Sequence, residues 1–154
     1  MTIAAAESCT GGLLISRLTD VAGSSDYVER GVVCYSNRAK SELLGVLPGI
    51  MAEHGAVSEP VGLAMAEGVR QRAGVDIAVG VTGIAGPGGG TEQKPVGTVV
   101  VAVAWAGGQI VERFRFPGGR EGVKFQASQA ALNMLRRVME GAAPARGTAG
   151  EGSR

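Results

Sequence analysis

Asp76-Ile77-Ala78-Val79-Gly80-Val81-Thr82, continuing into Gly83-Ile84-Ala85-Gly86-Pro87-Gly88-Gly89-Gly90, is the stretch on which the fold turns. The first half is a short, unbroken apolar run bounded by glycines. An alternating run would mean one wet face, whereas a continuous run predicts a strand buried on both faces. The second half, from Gly83 to Pro95, is rich in glycine and proline and has no periodicity, so it reads as a loop. A glycine loop at the carboxyl end of a central strand is where open α/β sheets bind ligands. Thirteen residues is long for a connection with no other task.

Working outward, Ser58-Glu59-Pro60 opens a helix to about Ala73, with Ser58 as N-cap and Pro60 tolerated in the first turn. Beyond the loop, Val96 to Trp105 is a second buried strand. Ala106-Gly107-Gly108 is a hairpin turn, and Gln109 to Phe116 is the returning partner. Glu121 to Glu140 is an amphipathic helix, with Val123, Ala127, Ala130, Ala131, Met134, Leu135 and Val138 on one stripe. Toward the N-terminus, residues 2–6 form a short apolar strand, although alanine is a poor strand former. A short helix carrying Leu13, Leu14 and Leu18 follows, then a strand at Gly31 to Tyr35. Ser36 or Asn37 caps the next helix, which carries Leu43 and Leu44 and stops at Gly45. His54 falls in a loop between helices. Strands alternating with helices and ending in one hairpin predict a three-layer α/β/α sandwich around a central mixed sheet, in a single domain over residues 1–140. Residues 141–154, composed of Ala, Gly, Pro and charge, are expected to be disordered.

The 154 residues are the size of one domain, and 45% hydrophobic content is enough to build a core. A net charge of +1 argues against a nucleic-acid binder held by a broad basic field and against a polybasic membrane anchor. No apolar run reaches the roughly 18 residues of a membrane span. No basic region followed by an apolar stretch opens the sequence, so the expected location is cytoplasmic. Glycine is abundant, at 26 residues, without a collagen period, as suits tight turns and close backbone approaches. Two cysteines and one histidine suggest neither a disulfide nor a metal site, and no cofactor is expected.

Three segments carry chemistry. Ser8-Cys9-Thr10-Gly11-Gly12 joins a strand to a helix, and free N–H groups at a helix start attract a phosphate or carboxylate. It lacks the Gly-Lys-Ser/Thr ending of a Walker A loop, and by spacing alone it is equally an ordinary helix start. In Tyr35-Ser36-Asn37-Arg38-Ala39-Lys40, the lysine sits near the positive end of a helix. With partial burial its pKa would fall and a neutral amine would become an accessible base; otherwise it is a solvated surface lysine. The third segment is Thr82 with its glycine loop. Weaker candidates are Cys9 as nucleophile with His54 as base, and Arg120 as a bidentate phosphate ligand. Trp105, Phe114 and Phe116 read as core, and Arg113 and Arg115 as a solvated pair.

Ala6-Glu7-Ser8-Cys9-Thr10-Gly11-Gly12 and Gly31-Val32-Val33-Cys34-Tyr35-Ser36-Asn37 with Lys40 resemble the CinA C-terminal domain family. So do Gly55-Ala56-Val57-Ser58, Met65-Ala66-Glu67-Gly68, Thr82 through Gly89, and Pro95-Val96-Gly97-Thr98-Val99. Together these motifs span about residues 2–140 in order. The resemblance implies an amidohydrolase that converts nicotinamide mononucleotide to nicotinate mononucleotide and ammonia in pyridine nucleotide recycling. It also implies a three-layer domain that commonly self-associates. By this resemblance the nucleophile falls on Ser8, the assisting tyrosine and lysine on Tyr35 and Lys40, and the threonine on Thr82. An arginine ahead of the last helix maps onto Arg120. Lys40 would take the serine proton, with Tyr35 relaying or orienting it. Thr10, Gly11, Gly12, Gly83, Gly86 and Gly88 would cradle ribose and phosphate. Two departures stand out. Family members usually carry a helix before the first strand, whose loss would expose sheet for a partner subunit to cover. They also often carry an N-terminal domain resembling molybdopterin-binding proteins, so the resemblance extends to the deamidase half alone. The competing expectations are a non-catalytic, competence-associated nucleotide-binding module and an amidase for another small amide.

Overall fold

The computed structural model describes residues 1–141. The expected disorder of 141–154 therefore lies, apart from Gly141, outside the described residues. The chain runs β1 (Ile3–Glu7), α1 (Leu13–Thr19), a 3-10 turn at Ser24–Asp26, β2 (Val28–Val33), α2 (Asn37–Leu44), α3 (Pro48–His54) and α4 (Glu59–Ala73). It continues through β3 (Ile77–Gly83), β4 (Thr98–Trp105), β5 (Gly108–Arg115) and α5 (Arg120–Met139). The sheet order is β2-β1-β3-β4-β5. β2, β1 and β3 are mutually parallel, and β4 and β5 complete the sheet antiparallel. This is the mixed-sheet, three-layer sandwich that the alternation of elements predicts.

Each face of the sheet has its own core. Ile3, Ala5, Val79 and Val101 pack beneath Leu14 of α1 and the Val123–Ala127–Met134 stripe of α5. On the other face, Ala4, Ala6 and Ala78 meet Leu44 of α2, Met51 of α3 and Val61, Met65 and Val69 of α4. The alanines of β1 are fully buried between these layers. They form a strand because helices close over both faces, so packing overrides their weak intrinsic preference. Gly80 of β3 makes the closeness possible. A Cβ there would stand 2.7 Å from the Gly62 carbonyl oxygen and 2.8 Å from the Ala66 nitrogen of α4.

Three boundaries differ from expectation. β2 begins at Val28 and ends at Val33, so Cys34 and Tyr35 lie beyond it. It is an edge strand paired only with β1, and an edge tolerates Glu29 and Arg30 where a central strand would not. Residues 48–54 form α3 in place of a loop, which puts His54 at a helix end. Only Met51 of that helix is buried, too little to leave a periodic signal. β4 begins at Thr98 rather than Val96, because the preceding turn is strapped to the glycine loop by Ile84 N–H to Thr98 O and Gly97 N–H to Ile84 O, both 2.8 Å.

The parallel register decides where chemistry gathers. Glu7 pairs with Val33 on one side and Val81 on the other. The carboxyl ends of β2, β1 and β3 are therefore level, and the chain leaves them side by side.

Candidate active site

The turn after β1 is organised around an internal carboxylate. Glu7 is fully buried. Its Oε1 accepts from the Thr10 hydroxyl at 2.6 Å and from the Leu14 N–H at 2.8 Å, and its Oε2 accepts from the Ile15 N–H at 3.0 Å. The orphan N–H groups at the start of α1 thus find their anion in the chain itself. This relocates an expectation. Thr10, Gly11 and Gly12 do not line the cavity at Ser8, and the anion held at their helix start is Glu7.

Ser8 follows directly. Its N–H donates to the Val81 carbonyl at 3.0 Å, which fixes it between strands, and it is 6% exposed. Facing it is Lys40. Ser36 caps α2 by accepting from the Ala39 N–H at 3.0 Å, which starts the helix so that Lys40 falls one turn in. Helical side chains lean back toward the N-terminus. Lys40 accordingly reaches down to the strand ends, 2% exposed, with Nζ 3.1 Å from Ser8 Oγ and donating to the Tyr35 carbonyl at 3.2 Å. Among the described residues no carboxylate forms an ion pair with it. Burial pushes its pKa below the ordinary 10.5, against a smaller upward pull from the Cys34 and Cys9 sulfurs and the Tyr35 phenol.

The cysteine alternative fares differently. Burial pushes the Cys9 thiol up to about 12, which keeps it protonated near neutral pH. His54 sits beside Glu53 at 3.7 Å and does not line the cavity.

The remaining residues form the rim. Thr82 Oγ1 donates to the Ala56 carbonyl at 2.9 Å, tying the Gly55–Ser58 segment over the end of β3. Tyr35 is 64% exposed, and its phenol oxygen accepts from Arg120 Nη2 at 3.2 Å, while Nη1 donates to the Gly86 carbonyl at 2.8 Å. The tyrosine therefore touches the lysine through its main-chain carbonyl, and its phenol meets the arginine. The resulting cavity, about 260 Å³, brings together Ser8, Tyr35, Lys40, Thr82, Gly83 and Arg120. Gly86 takes part through its carbonyl alone, and Gly88 is not on the wall. Asn37, Ala56 and Val57 also line the cavity. Sequence reasoning assigned them no role, since Asn37 reads as a cap and the other two as bland apolar residues.

The CinA C-terminal domain model matches residues 1–139. The chain belongs to the CinA C-terminal domain family. It is 57% identical over 140 residues to a CinA-like protein of Mycobacterium sp. (strain MCS), covering 90% of this chain and 33% of that protein. It is 56% identical over 146 residues to a CinA-like protein of Syntrophus aciditrophicus, covering 94% and 35%. The chain spans about a third of the length of the curated relatives it matches. Among solved structures it superposes on a competence/damage inducible protein from Agrobacterium tumefaciens with a TM-score of 0.89 at 42% identity, covering 90% of this chain and 86% of that one. A CinA superfamily protein from Escherichia coli gives 0.86 at 34% identity, covering 90% and 80%. These CinA relatives share the fold across nearly the whole described chain.

Proposed function

We propose that this CinA domain hydrolyses the carboxamide of nicotinamide mononucleotide to nicotinate mononucleotide and ammonia. The observation that carries the reading is the buried Ser8–Lys40 pair, a hydroxyl 3.1 Å from an amine whose pKa burial has lowered. A serine hydroxyl is a weak nucleophile until a neighbouring base takes its proton, and a desolvated lysine is suited to that task near neutral pH.

Ser8 Oγ attacks the amide carbon and its proton passes to Lys40 Nζ. As the C–N bond breaks, the Lys40 ammonium returns that proton to the departing nitrogen, which leaves as ammonia. Water then attacks the Ser8 ester. Lys40 takes a proton from the water and restores it to Ser8 as the carboxylate is released. The Tyr35 carbonyl accepts one lysine N–H, which leaves the amine lone pair free to face the serine. The Cys9 N–H, next to the nucleophile, is the candidate donor to the developing oxyanion. The reading places the reaction in the cytoplasm and includes the self-association that the resemblance implies. No helix of the described residues is long and apolar enough to cross a membrane.

The test is ammonia release from nicotinamide mononucleotide by purified protein, beside the Ser8→Ala variant. Turnover that vanishes in the variant is expected. A folded wild-type protein that binds the nucleotide and releases no ammonia overturns the reading in favour of a non-catalytic nucleotide-binding module.

A further inference from the structure

The wall of the Ser8 cavity carries six side chains with a polar nitrogen or oxygen, and five of them are engaged within the protein. Ser8 and Lys40 face each other at 3.1 Å. Thr82 donates to the Ala56 carbonyl. The Tyr35 phenol and Arg120 meet at 3.2 Å. The sixth, Asn37, makes no side-chain hydrogen bond with any described residue. An unpartnered amide at a protein surface is ordinary, because water serves it. This one stands on the wall of a cavity whose other polar side chains have partners, and no Asp or Glu shares that wall among the described residues.

Its place on α2 connects it to the chemistry. Ser36 fills the cap position by accepting from the Ala39 N–H, so the Asn37 side chain is not needed there. Asn37 is the first residue of α2 and lies three before Lys40, on the same helix face. Lys40 runs back along that face until its Nζ reaches the Tyr35 carbonyl. The amine and the carboxamide therefore border the cavity from one side, the start of α2, and the amine faces Ser8.

The leaving nitrogen has to lie beside Lys40, whose ammonium gives it a proton. A buried NH2 group without an acceptor costs affinity. Asn37 Oδ1 is the one side-chain amide or carboxyl oxygen on the wall among the described residues. We propose that Asn37 is a specificity-determining residue, whose Oδ1 accepts from the substrate's amide N–H and so turns the leaving nitrogen toward Lys40 and the carbonyl carbon toward Ser8. The identity of the ligand rests on the amide-hydrolysis reading. Asn37 thereby separates a primary carboxamide from a group of equal size that has no N–H to give.

The test is calorimetry on the Ser8→Ala protein, which lacks the nucleophile. It compares nicotinamide mononucleotide with 3-acetylpyridine mononucleotide, in which a methyl replaces the NH2 at nearly the same volume. The comparison is repeated after adding Asn37→Ala, Asn37→Leu or Asn37→Asp. Asn37 is exposed, so these variants leave the core untouched. The amide should bind about tenfold more tightly than the ketone, as one hydrogen bond implies. Asn37→Ala and Asn37→Leu should lose most of that preference, and Asn37→Asp, which still accepts, should keep more of it than either. A merely structural part for Asn37 would weaken both ligands alike. A preference unchanged in both Asn37→Ala and Asn37→Leu, or no binding of either ligand, overturns the assignment. Wild-type ammonia release, measured alongside, separates the two ideas. An Asn37-dependent amide preference without ammonia release keeps the residue's role and rejects the hydrolysis. Ammonia release with a preference indifferent to Asn37 does the reverse.

Discussion

The end of β1 and the first turns of α2 each carry one ionisable side chain into the interior, on either side of Ser8, and they treat it in opposite ways. Glu7 is ringed by three donors, two of them main-chain N–H groups that would otherwise be orphans at the start of α1. Lys40 is buried almost as deeply and meets only a hydroxyl and a carbonyl. A buried charge with a full set of partners holds a structure in place. A buried amine without a counter-ion shifts its pKa toward the neutral form, which is a poor way to stabilise a fold and a good way to make a base. On the proposed reading the end of β1 fixes the position of Ser8, and Lys40, one turn into α2, activates it.

The contrast yields predictions that can break it. The largest effect should come from Lys40→Ala, which removes the base and lowers kcat by about 10²- to 10⁴-fold in an ammonia-release assay, with KM changed far less. A large rise in KM at unchanged kcat would instead make Lys40 a binding residue. Next is Glu7→Ala, which strands three buried donors and should destabilise the domain by roughly 3 kcal/mol or more in urea unfolding. Glu7→Gln, which can still accept, should lose less. A smaller effect of opposite sign is expected for Lys40→Met, which replaces the desolvated amine by an apolar chain of similar shape and should stabilise the protein by about 1 kcal/mol while abolishing turnover. The pH dependence sharpens this. The folded state gives up the Lys40 proton more readily than the unfolded chain, so wild-type stability should be lowest below the folded-state pKa and climb as pH rises toward 10.5. That rise should be missing from Lys40→Met. The smallest effect is the cap: Ser36→Ala should cost about 1 kcal/mol, read as a lowered Tm, and a matching loss of kcat would show that α2 aims the lysine.

Much of this was legible in the residues. The unbroken run at β3, the hairpin of β4 and β5, and the Ser58 cap of α4 carry strong local signals, and the structure follows them. The residues that converge on the cavity were nameable because their motifs resemble a family, since spacing alone left each with a bland reading. The missed parts have a physical cause. β2 hides behind Glu29 and Arg30 because an edge strand need not be apolar, and α3 hides because it buries a single methionine. The role of Glu7 could not be read locally, since its acceptors serve N–H groups seven and eight residues ahead, and only the folded turn brings them together. Tyr35 meets Lys40 through its main-chain carbonyl, about which side-chain identity says nothing.

The proposed chemistry needs a Lys40 amine whose pKa lies below the ordinary 10.5. The chain has only three lysines, at 40, 94 and 124. NMR titration of the lysine Cε carbons, assigned with Lys40→Arg, therefore measures its ionisation directly and without substrate. The Lys40 resonance should titrate clearly below 10.5. A Lys40 that titrates at or above 10.5 would contradict it, and Ser8 would be left without its base.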